Sequence, residues 1–154
     1  MKRSRFLRIG GIILATGCVV YALVYVDLIF RAREAYLEGE KYLEWNAHPD
    51  LKKAYYDKLL ADKEEKINAN LKSGRITVTE SQEQLALAHF EEKERLSESS
   101  LKYAYVWFQT AVQLFSPPDS RWVEKSRLEM PRTLALWKQE LDLKRIPYQD
   151  YMFQ

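Results

Sequence analysis

The chain has 154 residues, enough for one domain with a real core beyond an N-terminal apolar segment, but not for two ordinary ones. With 30% charged and 13% aromatic residues it is globular rather than disordered, and its net charge of +2 hides a split between its two parts. Four of the 24 basic residues (Lys2, Arg3, Arg5 and Arg8) precede or open the apolar run, and one of the 22 acidic residues, Asp27, lies inside it, which leaves 20 against 21 from Arg31 onward. That interspersed balance lacks the one-sided basic excess of a nucleic-acid binder, so no nucleic acid is expected as a partner. The one cysteine, Cys18, rules out an intramolecular disulfide and a cysteine zinc site.

Residues 9–30 form the first element. Ile9 to Val26 carry no charge, and Leu28, Ile29 and Phe30 resume the run after Asp27. A helix needs about 20 mainly apolar residues to cross a bilayer core, and Phe6, Tyr25 and Phe30 lie near the ends, where aromatics favour the interface. Three processing fates compete. Ala15-Thr16-Gly17 resembles a signal cleavage site, but hydrophobicity resumes at Val19 where a mature terminus would turn polar. Leu14-Ala15-Thr16-Gly17-Cys18 resembles a lipobox, but no polar tether follows it. An uncleaved anchor fits best. Residues 1–8 then form a cytoplasmic basic segment, because four basic residues outweigh Arg31 and Arg33 on the far flank, and residues 31–154 form an extracytoplasmic, periplasmic domain of an inner-membrane protein. Gly11, Ala15, Cys18 and Ala22 share one face of the span by their spacing and form a candidate packing face for another helix. The lipid bilayer is thus the first expected partner.

The domain reads as all-α. Helix one continues from Arg31 to about Trp45 and stops before Pro49, since the residue before proline resists helical geometry. Helix two runs from about Asp50 to Lys72, with Leu51, Tyr55, Leu59, Leu60, Ile67 and Leu71 at helical spacing and Ser73-Gly74 as its stop. Arg75 to Val78 reads as an extended linker. Thr79 with Gln82 has capping-box spacing, so helix three starts there and runs to about Leu96 with Leu85, Ala88, His89, Phe90 and Leu96 inward. Helix four, about Ser100 to Phe115, is apolar nearly all round and must pack on two sides before Ser116-Pro117-Pro118 ends it. Helix five starts near Asp119 or Ser120. Pro131 either kinks it or opens a sixth helix through Leu143. The tail from Ile146 is short and aromatic, either a cap over the last helix pair or a docking peptide, with the cap favoured.

Ala104, Phe108, Ala111 and Pro117 stand on helix four in the order of small residue, aromatic, small residue and closing proline found in the second helix of a tetratricopeptide repeat. Helices three and four therefore resemble one such repeat, and Glu34-Ala35 through Tyr42 to Pro49 resembles a weaker second copy with Gly39 in the aromatic's place. The resemblance implies a membrane helix followed by a tetratricopeptide-like antiparallel domain, in which the alanines let the first helix approach and Phe108 fills the groove. The tail, with Leu136-Trp137-Lys138-Gln139-Glu140-Leu141, Ile146-Pro147-Tyr148 and Asp150-Tyr151-Met152, is similar to the ends of small membrane-anchored spirochaete proteins, some of them in the periplasmic collar of the flagellar motor.

Chemistry is thinly represented. His48 and His89 are far apart and lack ligands at metal spacing. The acidic run Glu91, Glu92, Glu94 alternates with Lys93 and Arg95 as a solvated face would. No catalytic residue, metal ligand or cofactor is expected. The aromatics point instead to other proteins, in a multi-subunit membrane-associated complex, with Tyr103, Tyr105, Trp107, Tyr148, Tyr151 and Phe153 as the candidate partner surface. The expected function is a non-enzymatic scaffold subunit of an envelope complex. An assembly or secretion factor, or a lipoprotein or small-ligand-binding helical domain, is the alternative.

Overall fold

The computed structural model describes residues Lys2 to Phe153, with side chains from Gly10 onward, so the side chains of the basic segment 1–8 lie outside the described residues. The described residues form five α-helices and a terminal 3-10 turn: α1 (Lys2–Ala47), α2 (Pro49–Lys72), α3 (Val78–Ser97), α4 (Ser100–Leu114), α5 (Arg121–Leu143) and η1 (Asp150–Phe153). The fold is all-helical, and no strand occurs among the described residues. Two compact units divide the chain. Unit 1 takes α1 up to Glu40 and the chain from Ala104 onward; unit 2 is Lys41–Tyr103.

In unit 1, α1 is unbroken through the apolar segment into the domain. One helix near the N-terminus is therefore long and apolar enough to cross a membrane. At 1.5 Å per residue, residues 9–30 span about 33 Å, against ~30 Å of hydrocarbon. Every residue from Gly10 to Asp27 is exposed, including Ile12, Ile13, Leu14 and Leu23, so none of the other described residues covers this stretch. Asp27 is matched one turn later by Arg31, whose Nε donates to its carboxylate at 2.7 Å.

Burial begins beyond that point. Ala32, Ala35 and Gly39 turn one small-residue face of α1 inward. A Cβ built on Gly39 would stand 2.5 Å from the Phe108 ring, so the glycine is the seat of that ring. Ala104 and Ala111, one turn either side of Phe108, are also fully buried. The sequence reading pairs this motif with the preceding helix, α3. The correction is that α1 receives the ring, while α3 belongs to unit 2. Sequence neighbourhood misleads here because a hairpin of two helices is inserted between the elements that pack.

The third helix of unit 1, α5, starts at the Ser120 cap, whose hydroxyl accepts from the Val123 amide. It continues unbroken through Pro131, so there is neither a sixth helix nor a helix end there. The proline is exposed, where water can satisfy a carbonyl that loses its intrahelical donor. Val123, Ser126 and Thr133 are its buried face.

Unit 2 is built around the α2–α3 pair. The helix-three start differs from the sequence reading: Thr77, not Thr79, is the cap, and Arg75 to Val78 is not all linker. The Glu80 amide donates to Thr77 Oγ1 at 3.2 Å, and the Thr77 amide donates to Glu80 Oε2 at 2.7 Å. An ionised carboxylate accepts more strongly than the neutral amide of Gln82 and suits the positive end of a helix, which decides between two registers two residues apart. Those Thr77 hydrogen bonds hold the Glu80 carboxyl below its ordinary range. At the other end Lys52 is buried, and its ammonium donates to the carbonyls of Leu96 (3.2 Å) and Glu98 (2.6 Å), which α3 leaves without intrahelical partners.

The Gly39 seat yields a direct prediction. Gly39→Val should lower the unfolding free energy by about 1–3 kcal/mol, an overpacking cost, despite valine's better helix propensity. Adding Phe108→Leu should recover part of that loss in a double-mutant cycle read by denaturant unfolding. Strict additivity of the two substitutions would show that the residues do not meet.

Candidate interaction surface

Helix α4 presents different faces to different surroundings, and this sorts the aromatic residues expected to form a partner surface. Tyr105 is buried, and its hydroxyl donates to the Phe153 carbonyl at 2.5 Å. Phe153 is itself buried, edge-on to Trp137 (4.9 Å between ring centres) and to Tyr148 (5.5 Å), with Lys138 above its ring. These two residues are thus interior groups of unit 1 and are corrected from partner surface to core. The tail is held against α4 and α5 through Phe153, while Tyr151 and Met152 point outward, 63% and 56% exposed. Tyr148 is half-buried, its hydroxyl near Asp142.

Trp107 is half-buried and lines an open groove of about 520 Å³ with Ala35, Leu37 and Phe115, rimmed by Arg31, Glu34 and Glu38. Pro117 is exposed and its neighbour Pro118 buried, so the loop turns inward one residue late. The anchor-face residues Gly11, Ala15, Cys18 and Ala22 are all exposed, with nothing within 4 Å of a Cβ built on Gly11. Cys18 is a free thiol.

In unit 2 the aromatics form a continuous ladder. Tyr103 stacks on Tyr42 (5.2 Å), Tyr42 meets Trp45 (5.0 Å), and Trp45 meets Tyr55 (5.1 Å) and Tyr56 (5.7 Å). Lys41 lies over three of these rings. Tyr103 also donates to Glu98 at 2.7 Å. Trp45 is the buried rung, and Tyr55 is half in water.

From Tyr55 the apolar surface runs along α2. Leu51, Tyr55 and Leu59, each four residues apart, are 41–49% exposed. Beside them Tyr56, Leu59 and Leu60 line an open groove of about 420 Å³ with Ala88 and Phe90 of α3. Phe90 is 61% exposed and His89 is also at the surface, its Nε2 3.2 Å from Glu64. Both therefore depart from the inward placement expected of them. Helical periodicity marks the face that could be buried, but in a pair of helices each has too few neighbours to cover it. The groove's charged rim is acidic: Glu91 pairs with Lys63 at 2.5 Å and Arg95 with Glu98 at 3.5 Å, while Glu92 and Glu94 form no ion pair among the described residues.

Among the described residues no cluster of three or more histidine, cysteine or carboxylate side chains could hold a metal ion. His48 is exposed at the α1–α2 junction. No protein-family model matches the chain, and no curated protein or solved structure is significantly similar to it.

Burial raises the Tyr105 hydroxyl above its ordinary value near 10, with Lys138 opposing. The folded state therefore holds this proton more tightly than the unfolded chain. The resulting stability is present in full below pH 10 and is lost as pH rises through the folded value. Tyr105→Phe should flatten the alkaline fall in stability and increase proteolytic access to the tail. An unchanged alkaline profile would show that the phenol is not buried.

Proposed function

We propose that the chain is a non-enzymatic, membrane-anchored interaction subunit. On this reading α1 holds it at the inner membrane with the N-terminus in the cytoplasm, and a tetratricopeptide-like helical domain grips other proteins on the periplasmic side. The orientation rests on the basic residues before the span. The repeat-like character rests on the order Ala104, Phe108 and Ala111 along α4, with the ring received by α1 in place of the neighbouring α3. The resemblance of the tail to spirochaete proteins makes a periplasmic collar of the flagellar motor the sharpest version of the assembly it would join.

The observation that supports the reading best is the apolar surface left on the α2–α3 pair. Leu51, Tyr55, Leu59 and Phe90 lie in the open within one small unit. Contiguous exposed apolar side chains with a polar rim mark protein contact sites rather than solvated faces. The acidic excess at the rim favours a partner helix with an apolar stripe flanked by lysine or arginine.

A photo-crosslinking amino acid at position 90, used in native membranes, should give a discrete adduct with another protein. The pair Leu59→Ser and Phe90→Ser should abolish binding while leaving the helicity unchanged and lowering the melting point only modestly, because Phe90 is largely and Leu59 partly in water. Full retention of the complex by this double variant would overturn the assignment of the surface.

A further inference from the structure

The end of the apolar segment and the start of α5 come together in unit 1. Ile29, Phe30 and Arg33 of α1 and Ser120, Arg121 and Trp122 of α5 line one open hollow of about 590 Å³. The Trp122 indole is surrounded by cations: the Arg121 guanidinium is 4.4 Å from its centre, the Lys125 ammonium 5.3 Å and the Arg33 guanidinium 5.8 Å. Lys125 also lies 5.4 Å from the ring centre of Tyr36. Two nearby acids are engaged elsewhere, Asp27 with Arg31 at 2.7 Å and Asp119 with Arg127 at 2.8 Å. Arg33, Arg121 and Lys125 form no ion pair among the described residues, and each lies against the Trp122 ring face. Leu114, just before this loop, is 67% exposed.

The geometry points to this basic and aromatic cluster as a seat for the anionic headgroups of the membrane that α1 crosses. Two observations select a lipid surface over another occupant. The first is continuity: Ile29 and Phe30 are both the last apolar residues of the span and walls of the hollow, so a bilayer entered by the span brings its headgroup layer to this level. The second is charge: three unpaired cations around an indole match phosphate oxygens above and an apolar boundary below, the arrangement that favours tryptophan, arginine and lysine at a membrane interface. The consequence is that the domain does not swing freely on its anchor. Its base, including the α4–α5 loop, rests in the interface, and the far end of α5, about 30 Å away along that helix, stands clear.

This inference rests on the anchor reading, and one experiment separates the two. The full chain, with Cys18→Ser and a fluorescent label at Leu114→Cys or Leu143→Cys, is reconstituted in phosphatidylcholine vesicles with increasing phosphatidylglycerol. A headgroup spin-labelled lipid serves as quencher. Quenching at position 114 should exceed that at 143 several-fold, rise with phosphatidylglycerol, and fall when Arg33→Gln, Arg121→Gln and Lys125→Gln are combined. Circular dichroism checks that the combined variant folds. Equal quenching at both positions, or quenching at 114 indifferent to phosphatidylglycerol and to the charge changes, overturns the headgroup seat while the chain remains inserted. An unquenched label at 114 overturns it too and leaves the hollow to a protein partner. Release of the chain by alkaline carbonate washing overturns the anchor itself, and the seat with it.

Discussion

Phe108 can enter the α1 face only because position 39 has no side chain. The contact requires the small residues Ala32 and Ala35 before it on α1, and Ala104 and Ala111 around it on α4. Once the two helices are this close, Tyr36 is set against Phe108 on one side (5.8 Å) and Trp122 on the other (5.6 Å), which brings in the first turns of α5. The same α4 surface carries Tyr105 to Trp137 and the tail. Unit 1 therefore grows outward from a single backbone approach. An approach of this kind cannot relax in small steps, because a packed interior has few voids to absorb an added methyl group.

The helix that supplies that approach is also the one with a bare apolar stretch. Two environments are imposed on one continuous element: exposed aliphatic residues from Gly10 onward, then a buried small-residue face from Ala32. Around their boundary lie Asp27, Arg31 and Arg33, where a headgroup layer would accept charge. No proline or turn interrupts the passage. The domain is thereby built directly on the helix that would cross the bilayer, with no linker to decouple it.

Much of the fold was legible because helix signals in this chain are local. Pro49, Gly74 and the Pro117-Pro118 pair mark the helix ends, and the Ser120 cap marks a start, each through backbone constraints that act within a few residues. The start of α3 lies two residues before the one the sequence suggests because two Thr-x-x-acceptor patterns overlap, and only the charge of Glu80 separates them. What stayed hidden was the partner choice. Nothing in the spacing of Ala104, Phe108 and Ala111 says which small-residue face they meet, and Gly39, which stands where the repeat pattern has an aromatic, is the aromatic's seat. The surface was hidden for a related reason. Leu51, Tyr55, Leu59 and Phe90 have the periodicity of a core face, and only the count of neighbouring helices decides whether such a face is covered. Tyr105 and Phe153 differ in the other direction, buried where a surface is expected, since a hydrogen bond across 48 residues has no local signature.

On the proposed reading, one uninterrupted helix serves as both membrane anchor and packing surface of the domain. Backbone hydrogen exchange on the full chain in lipid nanodiscs tests it at the junction, residues 28–36. Slow exchange should run without a break from the span to Gly39, because every amide there is hydrogen-bonded within α1. Rapid exchange at the junction, flanked by protected segments on either side, would mean a hinge between anchor and domain and would contradict it.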